Sequence, residues 1–101
     1  MNERLMQFVG LMLRLNMKFT VTSAFRTPQE NSACGGSPTS QHLTGDALDF
    51  KVQGMTSSEL VDWIKKREIR YDQLIQYRTF VHISFRRSNQ SKERQMFLDF
   101  R

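Results

Sequence analysis

Residues 24–44 form a polar stretch of about twenty residues, rich in Ser, Thr, Gly, Pro and Asn, with no apolar period. We expect a loop here, with one short helical turn after Pro28. A loop of this length in a chain of 101 residues is usually either functional or disordered. The fold must therefore be built from the segments on either side, and we expect the function to lie in this loop and in whatever it faces.

The flanking segments show clear helical and strand periods. Their patterns predict helices over about residues 3–15 and 56–67, and strands near residues 18–23, 47–52, 71–77, 80–85 and 95–100. Thr56-Ser-Ser-Glu59 is typical of a capping box, in which the hydroxyl and the carboxylate satisfy the first free N–H groups of the second helix. This order predicts an α+β fold, a small single domain with a mostly antiparallel sheet and two main helices.

The composition excludes several classes of protein. A hydrophobic fraction of 39% suits a folded globular chain, and no apolar run approaches the length of a membrane span. The single cysteine, Cys34, excludes an intramolecular disulfide, and we interpret it as a small buried residue near a turn. The net charge of +5 is compatible with an anionic partner or with a solvated basic surface. The basic residues of segment 86–94 lack interleaved aromatics, so they predict a solvated turn and no nucleic-acid partner.

Both histidines of the chain stand where a metal ligand would be useful. In the strand near His82, the apolar neighbours Val81 and Ile83 share one face, so His82 projects from the other. Asp49 alternates in the same way with its own apolar neighbours, and His42 precedes it by seven residues. Two imidazoles and one carboxylate leave a fourth position open for water, as catalytic zinc sites require. The same ligand types occur in non-haem iron oxygenases, but those usually place the first histidine and the acid two residues apart.

Several ordered motifs surround these three residues. Residues 40–49 are SQHLTGDALD; upstream lie TSAFRTPQEN at 22–31 and GGSPTS at 35–40, and downstream lie YDQLI at 71–75 and FVHIS at 80–84. Together they resemble the zinc D-Ala-D-Ala carboxypeptidase and L-alanyl-D-glutamate endopeptidase family, with its S-x-H-x-x-G-x-A-x-D signature and its S-G-Y-R stretch. The resemblance covers about residues 18–85. It implies a Hedgehog/DD-peptidase-like fold and a single zinc peptidase-like domain over residues 1–101.

The resemblance also implies a role for each matching residue. His42, Asp49 and His82 would be the ligands of one zinc ion. Arg26 would bind the substrate carboxylate or the oxyanion formed on attack, for which a guanidinium group is well suited. Ser40 would orient the first ligand or the substrate.

The implied activity is a zinc metallopeptidase that cleaves bonds next to D-amino acids in peptidoglycan, as a carboxypeptidase or an endopeptidase. The expected partner is therefore a peptidoglycan stem peptide, and we expect a monomer. The N-terminus, Met1-Asn-Glu-Arg, does not resemble a secretory signal peptide, so we expect synthesis in the cytoplasm. Action on the cell wall would then follow release, as for a small phage endolysin.

One position departs from the family pattern. Many members carry an acid three residues before the second histidine, where it serves as general base, and this chain has Thr79 there. Asp46 and Asp72 are the alternative acids that we consider, and zinc hydroxide acting alone is a further possibility. The departure also leaves open a non-catalytic zinc-containing module that binds wall peptide or a protein and has lost the general base.

Overall fold

The computed structural model describes residues 2–24, 27, 29, 33, 41–87 and 93–101, with only the backbone at positions 43 and 44. Within these residues the chain forms a compact α+β domain with two α-helices and a five-stranded, mostly antiparallel sheet, as predicted. Cys34 lies outside the described residues. The elements are α1 (Glu3–Arg14), β1 (Phe19–Ser23), a 3-10 helix (Gln41–Thr44), β2 (Ala47–Val52), α2 (Ser57–Lys66), β3 (Gln73–Gln76), β4 (Val81–Ser84) and β5 (Met96–Asp99).

Helix α1 begins at a side-chain cap and buries one stripe. The Asn2 side chain accepts a hydrogen bond from the Leu5 N–H at 3.0 Å, which satisfies one of the free donors of the first turn. Leu5, Phe8 and Met12 recur at helical spacing and are buried in the core. Met6 lies off this stripe and is 46% exposed.

Helix α2 has the capping box that its sequence predicts. The Glu59 N–H donates to the Thr56 hydroxyl at 3.1 Å, and the Thr56 N–H donates to the Glu59 carboxylate at 2.9 Å. Leu60, Val61 and Ile64 are buried, so the predicted stripe packs against the sheet. Both helices therefore contribute to one hydrophobic core.

The sheet has the strand order β1-β2-β4-β3-β5, and its pairs are antiparallel except for the parallel pair β3–β5. Side chains alternate between its two faces. Phe50, Leu74, Val81 and Ile83 belong to the core cluster on the face that carries the helices. The opposite face carries Asp49, so the sheet itself separates the core from the polar face.

One difference from the predicted elements concerns the polar segment. Its last residues, Gln41–Thr44, form a 3-10 helix where a loop was predicted, and this helix packs on β2. The predicted turn after Pro28 falls largely outside the described residues. None of the helices in the described ranges is long and apolar enough to cross a membrane.

Candidate metal centre

Strand pairing and one tight turn bring the two histidines and the carboxylate together. Asp49 on β2 and His82 on β4 are direct partners in the antiparallel register, so their side chains project side by side from the polar face. His42 lies in the 3-10 helix, and the chain turns back into β2 at Gly45, whose φ of 74° favours glycine. The Asp46 N–H donates to the Gln41 carbonyl at 2.9 Å and closes this turn.

The three side chains meet at one carboxylate oxygen. Oδ1 of Asp49 lies 3.1 Å from Nε2 of His42 and 2.8 Å from Nδ1 of His82. The two imidazole rings lie edge to face, with their centroids 5.0 Å apart. All three residues are buried, with exposures of 2% for His42, 6% for Asp49 and 8% for His82. Among the described residues they form a group that could hold a metal ion, with one ligand atom from each lying within 4.8 Å of the others.

His42 makes a hydrogen bond on the side of its ring that faces away from Asp49, and this bond determines what the cluster can bind. Nδ1 of His42 contacts the carbonyl oxygen of Ala24, which can only accept, so Nδ1 carries a proton. In the neutral ring, Nε2 then presents a lone pair to Oδ1 of Asp49, which is also an acceptor. Two acceptor atoms 3.1 Å apart require a cation between them, either a proton or a metal ion. An imidazole oriented through a backbone carbonyl is the usual arrangement for a metal-binding histidine.

The charge state of Asp49 also suits a cation site. Burial raises the pKa of Asp49, but hydrogen bonds from His42, when a proton occupies its Nε2, and from His82 outweigh it and hold the pKa at about 2, below the ordinary 3.8. The carboxylate is therefore ionised throughout the neutral range. A buried negative charge needs a compensating cation.

The spacing and the donor atoms fit zinc. Two ligands bound to zinc at 2.0–2.1 Å in a tetrahedral arrangement lie about 3.3 Å apart, close to the separations of 3.1 and 2.8 Å found here. Nε2 of His82 is buried and has no hydrogen-bond partner in the described part of the chain. With zinc on Nδ1, this Nε2 would carry the ring proton and would need an acceptor of its own. Two nitrogens and one carboxylate oxygen are also a common catalytic zinc set.

Comparison with known protein families identifies the family of the segment that holds this cluster. The Peptidase M15 family model matches residues 2–84, which include all three residues and the strands that hold them. The chain belongs to this family. Its members are zinc-dependent peptidases, so membership agrees with the donor set of the cluster. Comparisons with curated proteins and with solved structures gave no significant match.

Two of the predicted site residues of this M15 chain, Arg26 and Ser40, lie outside the described residues, and their roles stay predictions. Thr79, which stands where many relatives carry an acid, is exposed in the turn between β3 and β4. Asp46 and Asp72, considered as alternative bases, are held by other groups. Asp46 accepts from Asn2 and Arg87, and Asp72 accepts from Arg86 and Arg94.

These contacts place both alternative acids on the helix side of the sheet. Asn2 caps α1, and Asp46 precedes the core residue Leu48 by two positions, so both side chains point to the same face of the sheet. Asp72 stands in the same relation to Leu74, which is also a core residue. The cluster lies on the opposite face, so neither acid projects toward it. Sequence reasoning also missed the carbonyl of Ala24, because a backbone acceptor carries no sequence signature.

Proposed function

We propose that this chain is a zinc-dependent peptidase that hydrolyses peptide bonds next to D-amino acids in peptidoglycan stem peptides. In this proposal it is a monomer that acts on the cell wall after release from the cell, as a phage endolysin does. The observation that carries the proposal is the buried contact of two imidazoles with one carboxylate oxygen, at 3.1 and 2.8 Å. Membership in the Peptidase M15 family supports the reaction class.

The proposed ligands are His42, Asp49 and His82. When bound, zinc supplies Lewis-acid polarisation of the scissile carbonyl and lowers the pKa of a water molecule. The carbonyl of Ala24 holds Nδ1 of His42 and so keeps Nε2 directed at Oδ1 of Asp49, where the two atoms would bind the ion together. In the same proposal, Arg26 binds the substrate carboxylate or steadies the developing oxyanion, and Ser40 orients the first ligand or the substrate.

Metal analysis tests the site first. We expect the purified protein to hold one zinc ion per chain, and His42→Ala to lose it, because one of three protein ligands is removed. Lys51→Ala is the matched control, since Lys51 lies two residues from Asp49 on the same strand and is exposed. A wild type without zinc would contradict the site, and so would a His42→Ala variant that holds as much zinc as the wild type.

Hydrolysis is tested separately. The zinc-loaded protein is incubated with purified muropeptides, and new amine termini are sought by mass spectrometry. We expect cleavage next to a D-amino acid, loss of cleavage with a chelator, and recovery when zinc is added back. Cleavage that continues in the chelator, or in His42→Ala, would contradict a zinc peptidase.

A non-catalytic zinc module is the second candidate, and a specific observation favours it. Thr79 replaces the usual acid and is exposed, while Asp46 and Asp72 are engaged on the other face of the sheet. Loss of a general base commonly costs a hundredfold or more in rate. Bound zinc and muropeptide binding without any cleavage would identify this module.

A further inference from the structure

The polar face of the sheet continues from the metal cluster into aromatic residues. Asp49, His82 and Ile75 lie in one row across β2, β4 and β3. Side chains two residues apart on a strand point to the same face. Phe80 precedes His82 by two residues and Tyr77 follows Ile75 by two, so both belong to the next row on this face. The Tyr77 N–H donates to the Phe80 carbonyl at 3.0 Å, which keeps the pair in register.

Strand β5 adds a third ring to this row. Leu98 is the register partner of Ile75, and Phe100 follows Leu98 by two residues, so Phe100 lies beside Tyr77. The rings of Tyr77 and Phe80 are stacked, with centroids 4.5 Å apart and an interplanar angle of 13°. Those of Tyr77 and Phe100 lie 5.9 Å apart at 52°. We call Tyr77, Phe80 and Phe100 the aromatic platform.

The hairpin alone does not account for this platform. An aromatic pair across the β3–β4 turn stabilises a hairpin, which explains Tyr77 and Phe80. Phe100 lies outside that hairpin and is 58% exposed, although exposing a large apolar ring to water is unfavourable. Tyr77 and Phe80 are half-buried, so the platform joins one exposed ring to two partly exposed ones, and an apolar surface of this kind beside a polar site is typical of ligand contact.

The platform is close enough to the cluster to bind the same ligand. Rows on one face of a sheet are about 7 Å apart, and neighbouring strands about 4.8 Å apart. The platform therefore begins about 7 Å from His82, which is the span of about two residues of extended peptide. A sugar attached about two residues from the cleaved bond would reach it. A ligand bound at the cluster can extend directly over these rings.

We propose that the aromatic platform binds a sugar ring of the glycan strand to which the stem peptide is attached, so that glycan-linked peptide is preferred over free peptide. This inference rests on the proposed function, because it assumes a wall-peptide substrate at the cluster. A pyranose ring presents an apolar face of C–H groups that packs flat on an aromatic ring. The small and carboxylate-bearing side chains of the stem peptide do not match a surface of three aromatic rings, and the side chain of its diamino acid is a flexible chain with a charged end and has no flat apolar face.

Two measurements test the inference. The first titrates the peptide-free disaccharide of N-acetylglucosamine and N-acetylmuramic acid into the full chain and follows the aromatic ring resonances by NMR. We expect saturable shifts at Tyr77, Phe80 and Phe100. The second compares kcat/KM for a muropeptide and for the same peptide without sugar. We expect the muropeptide to be favoured about tenfold, mostly through KM, which is the scale of one good aromatic contact.

Variants at the exposed ring separate stacking from general apolar contact. Phe100→Ala and Phe100→Leu should reduce the preference for the muropeptide to within about twofold, whereas Phe100→Tyr should keep it. Leu13→Ala is the matched control, because Leu13 is 62% exposed on α1, on the other side of the sheet. Phe80→Leu tests the second ring in the same way.

The outcomes distinguish the two proposals. Hydrolysis at equal kcat/KM for both substrates, without disaccharide shifts at the platform, overturns the sugar inference and leaves the peptidase intact. Disaccharide shifts at the platform without hydrolysis of either substrate support the sugar site and overturn the peptidase. Preference that survives in both Phe100→Leu and Phe80→Leu contradicts a role for the rings.

Discussion

The side chains of the candidate site meet at a single oxygen atom. Oδ1 of Asp49 contacts Nε2 of His42 and Nδ1 of His82, and it does so at positions that are almost fully shielded from water. In such surroundings the interaction of a carboxylate with a cation is much stronger than at the surface. Asp49 is therefore the residue whose charge should matter most for metal affinity.

We expect Asp49→Asn to weaken zinc binding by at least about a hundredfold, because it removes the ligand charge and preserves the shape of the side chain. Affinity is measured by competition with a chromophoric chelator, and circular dichroism verifies the fold. Asp99→Asn is the matched control, since Asp99 pairs with Arg101 at the surface on β5. Equal zinc affinity in Asp49→Asn and the wild type would exclude Asp49 as a ligand.

The sequence predicted part of this geometry at the residue scale. Strand alternation alone indicated that Asp49 and His82 project away from the apolar face, and the structure has both on the polar face of the sheet. The contact between His42 and the carbonyl of Ala24 could not be predicted, because it joins positions eighteen residues apart through a backbone atom. Orientation of a ligand by the main chain leaves no mark on residue identity.

At the scale of elements, the capping box of α2 is a local feature with a measurable effect. Thr56→Ala should lower the free energy of unfolding by about 1 kcal/mol, because the Glu59 N–H loses its acceptor. Urea denaturation measures this change, and Thr56→Ser is the control because it keeps the hydroxyl. A loss as large in Thr56→Ser as in Thr56→Ala would argue against the cap as the cause.

Element identity was predictable here, whereas strand order was not. The periods that predict β2, β3, β4 and β5 are local, and the observed strands lie within the predicted ranges. The order β1-β2-β4-β3-β5 and the parallel pair β3–β5 depend on contacts between distant segments. Hydrophobic alternation fixes which face a residue takes but does not specify which strand lies beside it.

At the scale of the whole molecule, Asp72 joins segments from three parts of the sheet. Its side chain has no exposure to water and accepts from Nη2 of Arg94 at 2.7 Å and from Nε of Arg86 at 3.0 Å. Arg86 follows β4 and Arg94 precedes β5, so one carboxylate ties the start of β3 to both. Burial raises the pKa of Asp72, but hydrogen bonds with Arg94 and Arg86 outweigh it and lower the pKa to about 2.

Because of this lowered pKa, the free energy of unfolding of the domain depends on pH in the acid range. The pKa of Asp72 lies below its unfolded value of 3.8, so its contribution is complete above about pH 4 and is lost as the pH falls through about 2. The expected loss is about 2 kcal/mol. The measurement is the free energy of unfolding in urea. The difference in this free energy between the wild type and Asp72→Asn should therefore shrink by about 2 kcal/mol between about pH 5 and pH 2. Asp62→Asn is the control, because it removes the same charge from the exposed side of α2. If the difference in the free energy of unfolding between the wild type and Asp72→Asn does not change with pH, the Asp72 contacts do not link folding to protonation.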